Sequence, residues 1–197
     1  MYIFITNPNA RSGLGHKIWD DIETVLKKRG VTYQVYFTKY QQHATKIVRQ
    51  ITSDHERHNI IVLGGDGTVN EVINGIDCLA NVTLGYIPIG SSNDFARGLG
   101  LPADPLKALE NILAPVRHLA INIGVLEYGD KRRRFSVSTG LGFDAGVCHE
   151  VMVSRLKVFL NKIKLGKLSY AGVALHRMAS LDPKDMTVIM DGTRKLD

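Results

Sequence analysis

The sequence predicts an α/β fold, a doubly wound parallel sheet followed by part of a β-rich second domain. Short apolar runs alternate with amphipathic helical patterns through the first 115 residues. Small polar residues and glycine or proline bound most of these runs, as is typical of buried parallel strands. After Pro115 the pattern changes to two adjacent strands joined by a polar turn. We therefore expect an α/β domain over residues 1–115 and an incomplete β-rich domain with a helical insertion over 116–197.

The first two strand–helix units are read from apolar spacing. Tyr2–Thr6 is a short apolar run that predicts a buried strand. An apolar stripe at helical spacing between residues 18 and 26 predicts a helix that Gly30 ends. Val31–Thr38 is rich in β-branched and aromatic residues and predicts a second strand, and Ala44–Ile51 predicts a second helix.

The next units continue the same order. Ile60–Leu63 is a continuous apolar run stopped by two glycines, as expected for a strand buried on both faces. Thr68–Ile76 follows as a helix and Leu84–Pro88 as a strand. Pro105–Leu113 predicts a helix with Asp104 as its N-cap. This order favours a parallel sheet with helices on both faces.

The C-terminal part reads differently. Val116–Tyr128 and Arg134–Thr139 predict two strands around a polar turn at Gly129–Arg133. Residues 145–180 are mostly helical in pattern, and Met186–Met190 predicts a last strand before an Asp-Gly turn. A final strand without a hairpin partner leaves an open edge, which favours aggregation, so we expect the chain to be part of a longer protein.

Composition narrows the class of protein. Apolar residues make up 44% and charged residues 22% of the 197, which excludes a disordered chain and a disulfide-stapled miniprotein. The chain has no apolar run of about 18 residues, so we expect no membrane-spanning helix. Two cysteines, Cys78 and Cys148, suggest buried thiols in a reducing compartment. We therefore expect a cytoplasmic location.

The net charge of +6 is concentrated near the C-terminus. Residues 151–197 carry 9 Lys and Arg against 4 Asp and Glu. Such a surface suits nucleic acid, an anionic membrane or an acidic protein, and it is also compatible with no anionic partner at all.

The strongest chemical signal is GGDGTVNE at residues 64–71, between a predicted strand and a predicted helix. Glycines let the backbone N–H groups approach a ligand, and the helix N-terminus favours negative charge. The pattern predicts a phosphate-binding turn. Asp66 would repel a bare phosphate, but Mg²⁺ bridging the two would resolve that conflict. The alternative is that Asp66 is only a helix N-cap.

Two further loops follow predicted strands. PIGSSND covers residues 88–94, and NPNARSGLG covers residues 7–15. Successive strands of a parallel sheet end at the same edge, so we expect these loops and the GGDG turn to line one crevice. Three such loops together indicate a nucleotide-binding site. Asp94, taken alone, is more typical of a cap for a short helix over Phe95–Gly98.

Other sites are disfavoured. The chain has no Walker A motif, no G-x-S-x-G elbow and no zinc-type spacing of its seven histidines. Gly140–Ala145 matches G-x-G-x-x-A, but Lys162, Ile163 and Lys164 stand where the ribose-binding acid of a dinucleotide fold belongs. Because these other sites are disfavoured, we expect the crevice to bind a nucleotide through the three loops.

The three loops in this order resemble the diacylglycerol kinase catalytic domain family, which includes bacterial lipid kinases and, more distantly, sphingosine kinases. GGDG alone is shared with NAD kinases and phosphofructokinases, whereas GGDGTVNEVINGI followed by GSSNDFARGLG is more selective. The resemblance implies an N-terminal nucleotide-binding domain, a β-rich second domain and transfer of the γ-phosphoryl of ATP to a lipid hydroxyl such as that of diacylglycerol.

The resemblance also implies site residues. Asp66 would be the catalytic residue and would organise Mg²⁺. The nucleotide-binding positions would be Asn7, Thr38, Gly64, Gly65, Asp66, Gly67, Thr68, Val69, Asn70, Glu71, Ser91, Asn93 and Asp94. Basic residues facing the membrane would be Arg155, Lys157, Lys162, Lys164 and Lys167. The implied partner is a lipid at an anionic membrane surface and not nucleic acid, the implied location is the inner face of the cell membrane, and a homodimer stays open.

The chain departs from the family pattern in three places. Ser91 replaces a threonine, and Asn122 stands where many bacterial members have aspartate. The family's general base lies in a late Asp-Gly-Glu-like turn, whereas Asp191-Gly192-Thr193 comes early and lacks the glutamate. The base is therefore expected beyond residue 197. Two alternatives remain, an NAD kinase-like enzyme and a non-catalytic module that binds nucleotide or membrane.

Overall fold

The computed structural model describes residues 1–153, 178, 187–192 and 194–196. Two compact units divide the chain, Met1–Ser138 and Thr139–Asp197. The strands of the first unit are β1 (Tyr2–Thr6), β2 (Tyr33–Phe37), β3 (His58–Gly64), β4 (Val82–Pro88), β5 (Gly124–Tyr128) and β6 (Lys131–Phe135). Its helices are α1 (Ala10–Gly13), α2 (Gly15–Lys28), α3 (His43–Thr52), α4 (Asp66–Gly75), α5 (Asp94–Gly98) and α6 (Pro105–Leu113), with a 3₁₀ turn at Leu79–Asn81. In the second unit the described elements are α7 (Phe143–Val153), β7 (Val188–Met190) and β8 (Arg194–Leu196).

Strands β1 to β4 form one sheet in the order β2-β1-β3-β4, and every pair in it is parallel. The central strands β1 and β3 are apolar on both faces because helices cover both. Both faces are therefore buried, and the carboxyl ends of all four strands lie at one edge. The predicted α/β class with a doubly wound parallel sheet is confirmed.

One face of the sheet is covered by α3 and α4. Ile3, Ile60 and Val62 of the strands pack with Val48 of α3 and with a row of residues from α4. The row comprises Val69, Val72 and Ile73, whose spacing places them on a single side of the helix. This packing fixes the axis of α4, whose first residue follows the glycines of the GGDG turn.

The opposite face is covered by α2 and α6. Phe4, Ile61 and Leu63 pack there with Ile22 and Leu26 of α2 and with Leu109 of α6. Trp19 lies in the same layer, with its ring 5.2 Å from that of Phe4 in an edge-on arrangement. Arg29, which follows α2, also forms a two-pronged ion pair with Glu110 of α6. The two helices are therefore held to the sheet and to each other.

Most helix and strand predictions for the first 115 residues are confirmed within one to three residues of their bounds. Asp104 is the N-cap of α6 as predicted, since its Oδ1 accepts a 2.9 Å hydrogen bond from the Lys107 amide. The helix that follows the GGDG glycines begins two residues before the predicted Thr68. The short helix α1 was not predicted, because its four residues lie in a loop-like segment rich in small polar residues.

The hairpin differs from its prediction at both strands. Residues 116–123 form no strand, and β5 begins only at Gly124. The turn is shorter than predicted, two residues at Gly129-Asp130, so Lys131–Arg133 belong to β6. A strand at the edge of a sheet tolerates charged side chains because its pairing uses backbone groups. The three basic residues therefore looked like a turn but extend a strand.

The compact units and the predicted domains divide the chain at different places. The hairpin β5-β6 belongs to the first unit, whose limit is Ser138. A compact unit of this kind does not by itself define a domain, so the boundary between residues 115 and 116 stays a prediction.

Four other expectations concern the cysteines, the last strand, membrane-spanning helices and the basic residues near the C-terminus. Cys78 and Cys148 are exposed, so the prediction of buried thiols is wrong. The last predicted strand does have a partner, because β7 pairs with β8 across a turn at Asp191-Gly192. No helix among the described residues has the length and apolar character to span a bilayer. The basic residues predicted to face a membrane lie outside the described residues.

Candidate functional site

A cleft of about 450 Å³ lies at the carboxyl edge of the sheet. The loops that follow all four of its strands contribute to the cleft, as the rule for open α/β sheets leads one to expect. Seven residues predicted to bind nucleotide line it, namely Asn7, Thr38, Gly65, Gly67, Thr68, Glu71 and Ser91. The predicted convergence of the loops after β1, β3 and β4 is therefore observed, together with a fourth loop after β2.

The loop after β1 is held by Asn7. Its backbone amide donates a 2.9 Å hydrogen bond to the Leu63 carbonyl of β3, so the loop leaves the sheet beside the GGDG turn. Its side-chain Oδ1 accepts a 3.0 Å bond from the Asn9 amide, which closes a tight turn. Its Nδ2 lies 3.4 Å from Oγ1 of Thr68 and donates to it. Asn7 therefore fixes the loop and contacts α4 at once.

The GGDG turn leads directly into α4. Gly65 is the N-cap residue, and Gly67 and Thr68 of the first turn line the cleft. The first amides of a helix have no partner within the helix and carry its positive end, which suits an anion. A Cβ on Gly90 would lie 2.6 Å from the Cα of Gly65, so the two loops touch backbone to backbone. Only glycine permits this approach.

Asp66 does not line the cleft. Its Oδ2 accepts a 3.0 Å hydrogen bond from the Asp94 amide, and its Oδ1 accepts a 3.1 Å bond from the Phe95 amide. These are the first two amides of α5, so Asp66 caps that helix from the start of α4. The sequence pattern favours Asp94 itself as the cap, but the Asp94 carboxylate instead pairs with Arg97. The capping residue therefore lies 28 residues away from the helix it caps.

Glu71 also acts on a neighbouring helix. Its Oε2 accepts a 3.3 Å hydrogen bond from the Ala44 amide in the first turn of α3, and its carbonyl accepts a 2.8 Å bond from Oγ1 of Thr45. A carboxylate at a helix N-terminus is stabilised by the helix dipole. Both acidic residues of the GGDGTVNE motif therefore bind the beginnings of other helices, and Glu71 lines the cleft as well.

Asn93 shapes the loop after β4. It lies in the left-handed region at φ 53°, which asparagine tolerates better than most residues. Its side chain folds back on Gly90, accepting a 2.8 Å bond from the Gly90 amide and donating a 3.1 Å bond to the Gly90 carbonyl. The Tyr86 hydroxyl donates to the same Asn93 oxygen at 3.2 Å. This loop is therefore held by its own polar side chain.

Tyr86 is buried beneath that loop. Burial raises the pKa of its hydroxyl well above the ordinary value, and the carboxylates of Asp66 and Asp94 raise it further. The hydroxyl therefore stays protonated and remains a donor to Asn93 through the physiological range.

Six predicted nucleotide-binding residues do not line the cleft. Asp66, Asn93 and Asp94 support the loops as described above. Gly64 ends β3, where its carbonyl accepts a 2.9 Å bond from the Ile89 amide, and Val69 is buried in the core. The Asn70 carbonyl accepts a 2.8 Å bond from Asn74. Their assignment to nucleotide binding stays a prediction, as does that of the residues that do line the cleft.

The cleft also contains residues that were not named as nucleotide-binding positions, four of them in loops predicted to line it and three in the loop after β2. They are Asn9, Ala10, Arg11, Lys39, Tyr40, Gln41 and Gly90. Arg11 has a φ of 52°, an uncommon conformation for a residue with a side chain and one that often occurs at functional sites. Arg11 and Lys39 give the cleft two cations, which favour a polyanionic ligand. Arg11 lies in the loop over residues 7–15 that was predicted to line the crevice, and its cationic side chain was the signal for an anion-binding role.

The described residues do not form a Mg²⁺ site of their own. No three acidic, histidine or cysteine side chains cluster together among them. Both oxygens of Asp66 accept backbone hydrogen bonds, and Asp94 pairs with Arg97. Mg²⁺ at nucleotide sites is usually bound by one or two carboxylates together with waters and substrate phosphates. The described residues therefore contain no metal site made by protein groups alone, and the metal role of Asp66 stays a prediction.

Comparisons with known proteins agree on one family. The model of the diacylglycerol kinase catalytic domain matches residues 1–124. A diacylglycerol kinase of Bacillus subtilis is 38% identical over 190 residues, which is 95% of this chain and 59% of that protein. One of Staphylococcus carnosus is 30% identical over 190 residues, covering 95% and 58%.

Solved structures include a diacylglycerol kinase from Bacillus anthracis strain Sterne at 37% identity and a TM-score of 0.49, over 56% of this chain and 40% of that one. The chain spans 59% and 58% of the length of the two curated relatives named above. The match to the family model covers the whole parallel sheet and every loop of the cleft. The chain belongs to the diacylglycerol kinase catalytic domain family.

Proposed function

We propose that the protein containing this chain is an ATP-dependent lipid kinase that transfers the γ-phosphoryl group of ATP to a hydroxyl of a lipid such as diacylglycerol. The family and the names of its relatives support a lipid-directed kinase. The observation that carries the proposal is the cleft, where four loops bring together the first amides of α4, two cations and several polar side chains.

The chain's own residues would act on the phosphates of the nucleotide. The amides near Gly67 would bind phosphate oxygens, and the cations of Arg11 and Lys39 would neutralise part of their charge. The hydroxyls of Thr38, Thr68 and Ser91, from three of the four loops, offer neutral donors that line the same cleft. Phosphoryl transfer depends mainly on such positioning and charge stabilisation.

Mg²⁺ belongs to this proposal as part of the substrate MgATP. When bound to the phosphates it neutralises charge that develops on their oxygens. The proposal assigns no residue of this chain as its ligand. The proton acceptor for the lipid hydroxyl is likewise assigned to none of the described residues.

The acceptor side of the proposal is a lipid at an anionic membrane surface. It is supported by the positive charge of residues 151–197, which carry 9 basic against 4 acidic residues. Each cation close to such a surface contributes about 1 kcal/mol to binding. The proposed location is therefore the cytoplasmic face of the membrane, with peripheral attachment.

Calorimetric titration of the chain with ATP, with and without Mg²⁺, tests nucleotide binding. Replacing Arg11 by Ala should weaken ATP binding about tenfold, because a charge-assisted contact is lost. Arg57→Ala is the matched control, since Arg57 is an exposed arginine just before β3, at the opposite edge of the sheet. A folded wild-type chain that fails to bind ATP would contradict the proposal.

A second assay tests the acceptor. The longer protein that contains this chain is incubated with radiolabelled ATP and either diacylglycerol in anionic vesicles or NAD, and each acceptor is separated and counted. Label in the lipid supports the proposed reaction, whereas label in NAD supports the alternative of an NAD kinase. ATP binding without label in either acceptor supports a non-catalytic nucleotide-binding module for this chain.

A further inference from the structure

The acidic residue of the GGDG turn forms hydrogen bonds with a helix other than the one that it begins. Asp66 is the first residue of α4, yet each of its carboxylate oxygens accepts a hydrogen bond from a backbone amide of α5, at 3.0 Å and 3.1 Å. We infer that Asp66 is a positioning residue, which ties the GGDG turn to the loop after β4 and holds both at the spacing a nucleotide requires, and not a ligand of Mg²⁺.

The local structure of α5 shows why such a tie is needed. This helix has only five residues, and its N-cap residue, Asn93, makes no side-chain hydrogen bond to the helix. The Asn93 side chain instead folds back on Gly90. The first amides of the helix would therefore have no acceptor without Asp66. A carboxylate that accepts two such amides forms charge-assisted bonds, which are stronger than those between neutral groups.

Two further contacts join the GGDG turn to the loop after β4, close to the hydrogen bonds of Asp66. The Ile89 amide donates a 2.9 Å bond to the Gly64 carbonyl, and a Cβ on Gly65 would lie 3.1 Å from the Cα of Gly90. Those contacts join the two loops where they leave the sheet, and Asp66 joins them again beyond Ser91. The cleft residue Ser91 therefore lies between two fixed points. The consequence for nucleotide binding rests on the proposed function, whereas the tie itself does not.

The same geometry argues against a metal ligand. At a nucleotide site a carboxylate ligand shares Mg²⁺ with the substrate phosphates, so it has to face the cleft that binds them. Both oxygens of Asp66 are directed at amides of α5, and Asp66 is absent from the wall of the cleft. The negative charge of Asp66 therefore acts on the helix dipole of α5.

Two variants and one control test the inference. Asp66→Ala removes both acceptors, and Asp66→Asn keeps one while turning an NH₂ group toward the other amide. Asp104→Ala is the matched control, because Asp104 also caps a helix of this unit, at the Lys107 amide, but does not line or border the cleft. Circular dichroism and the fluorescence of Trp19 establish that each variant is folded.

The first readout is the exchange of backbone amide hydrogens, measured by NMR without any ligand. Asp66→Ala should speed exchange at Asp94 and Phe95 about ten- to a hundredfold, and Asp66→Asn less, while Asp104→Ala should speed exchange at Lys107 alone. Unchanged exchange at Asp94 and Phe95 in Asp66→Ala would overturn the inference. This readout decides whether Asp66 holds α5 even if the chain binds no nucleotide.

The second readout is the affinity for ATP, measured once with Mg²⁺ and once with EDTA. A positioning role predicts that Asp66→Asn and Asp66→Ala weaken binding by the same factor in both conditions, about tenfold or more for the alanine variant. A metal ligand would lose affinity only in the presence of Mg²⁺, and that result would overturn the inference. If the wild-type chain binds no ATP in either condition, the proposed function fails, and the exchange data still test the tie.

Discussion

The side-chain amide of Asn74 forms two hydrogen bonds with the backbone of Arg134, in the pattern of a paired residue in a β-sheet. Its Nδ2 donates a 2.9 Å hydrogen bond to the Arg134 carbonyl, and its Oδ1 accepts a 2.9 Å bond from the Arg134 amide. The Arg134 guanidinium in turn donates to the Ile73 and Ile76 carbonyls at the end of α4. Residues 60 positions apart in the chain therefore fasten the hairpin to the helix that begins at the GGDG turn.

Replacing Asn74 by Ala should lower the free energy of unfolding by about 1–3 kcal/mol, because three hydrogen bonds to part-buried backbone are lost, two with Arg134 and one with the Asn70 carbonyl. Urea unfolding followed by the fluorescence of Trp19 measures the change. Asn81→Ala is the control, since Asn81 donates only one exposed bond, to the His55 carbonyl. If Asn74→Ala and Asn81→Ala lose the same unfolding free energy, the hydrogen bonds of Asn74 stabilise the protein no more than the single exposed bond of Asn81.

Adding a methyl group where the two cleft loops touch should disturb both stability and binding. In Gly90→Ala the new Cβ would lie 2.6 Å from the Cα of Gly65, so the backbones have to move apart. We expect a loss of about 1–3 kcal/mol in the free energy of unfolding. Gly98→Ala adds a methyl group with no atom within 4 Å and should be neutral or slightly stabilising.

Thermal unfolding compares these two glycine variants directly. ATP titration then asks whether Gly90→Ala also weakens nucleotide binding while Gly98→Ala does not. Unaltered stability and affinity in Gly90→Ala would mean that the two loops separate without cost.

Replacing each of two buried threonines by valine should change the stability of the protein in opposite directions. Oγ1 of Thr6 is buried without a hydrogen-bond partner in the described structure. Thr6→Val should therefore stabilise the protein by about 1 kcal/mol. Oγ1 of Thr52, in contrast, donates to the Val48 carbonyl and accepts a 3.0 Å bond from the Asp77 amide.

Thr52→Val should destabilise the protein by about 1–3 kcal/mol, since it leaves the Asp77 amide unpaired. Urea unfolding of the two variants at one pH compares them. Destabilisation by Thr6→Val of the same size as that by Thr52→Val would reveal a hydrogen-bond partner for Thr6, such as an ordered water.

The raised pKa of Tyr86 predicts that the protein loses stability at alkaline pH. Its pKa in the folded protein is raised above the ordinary value of 10.0, chiefly by burial, so the unfolded tyrosine ionises first as the pH rises. Its stabilising contribution is therefore complete below about pH 10 and is lost above that value. At neutral pH, Tyr86→Phe should cost about 1 kcal/mol, because the bond to Asn93 is lost.

The difference between wild type and Tyr86→Phe should then shrink as the pH rises past about 10, because phenylalanine cannot ionise. Urea unfolding at a series of pH values measures it. A difference that stays constant through this range would show that the folded and unfolded protein ionise Tyr86 alike.

Much of the fold follows from local pattern. Ile60–Leu63 could be recognised as a central strand because a strand covered on both faces is apolar at every position. Likewise, the meeting of the loops follows from parallel pairing alone, since all strands of such a sheet end at one edge. The helix N-cap at Asp104 was also readable, because the residue lies beside the helix that it caps.

Contacts between distant segments could not be read in this way. Asp66 and Glu71 look like parts of a phosphate-binding motif, yet their carboxylates contact amides of α5 and α3. Which amides a carboxylate reaches depends on how the helices pack, and no spacing within the motif encodes that. In the loop after β2 the family resemblance indicated only Thr38. Lys39 and Tyr40 were not predicted, since they follow a strand without any glycine-rich signature.

The strand order has a consequence for how the cleft arises during folding. Strand β1 pairs with β2 on one side and with β3 on the other, so Tyr2 meets both Tyr33 and Asn59. Each pairing closes a long loop of chain, which slows folding relative to a protein built from local contacts. The loop that holds Ser91 is the last of the four cleft loops to be synthesised, since it follows β4, and it reaches its place only when β4 has paired with β3. A ligand that recognises the cleft would therefore detect chains in which the whole sheet has assembled, and it could serve as a kinetic reporter of that final step.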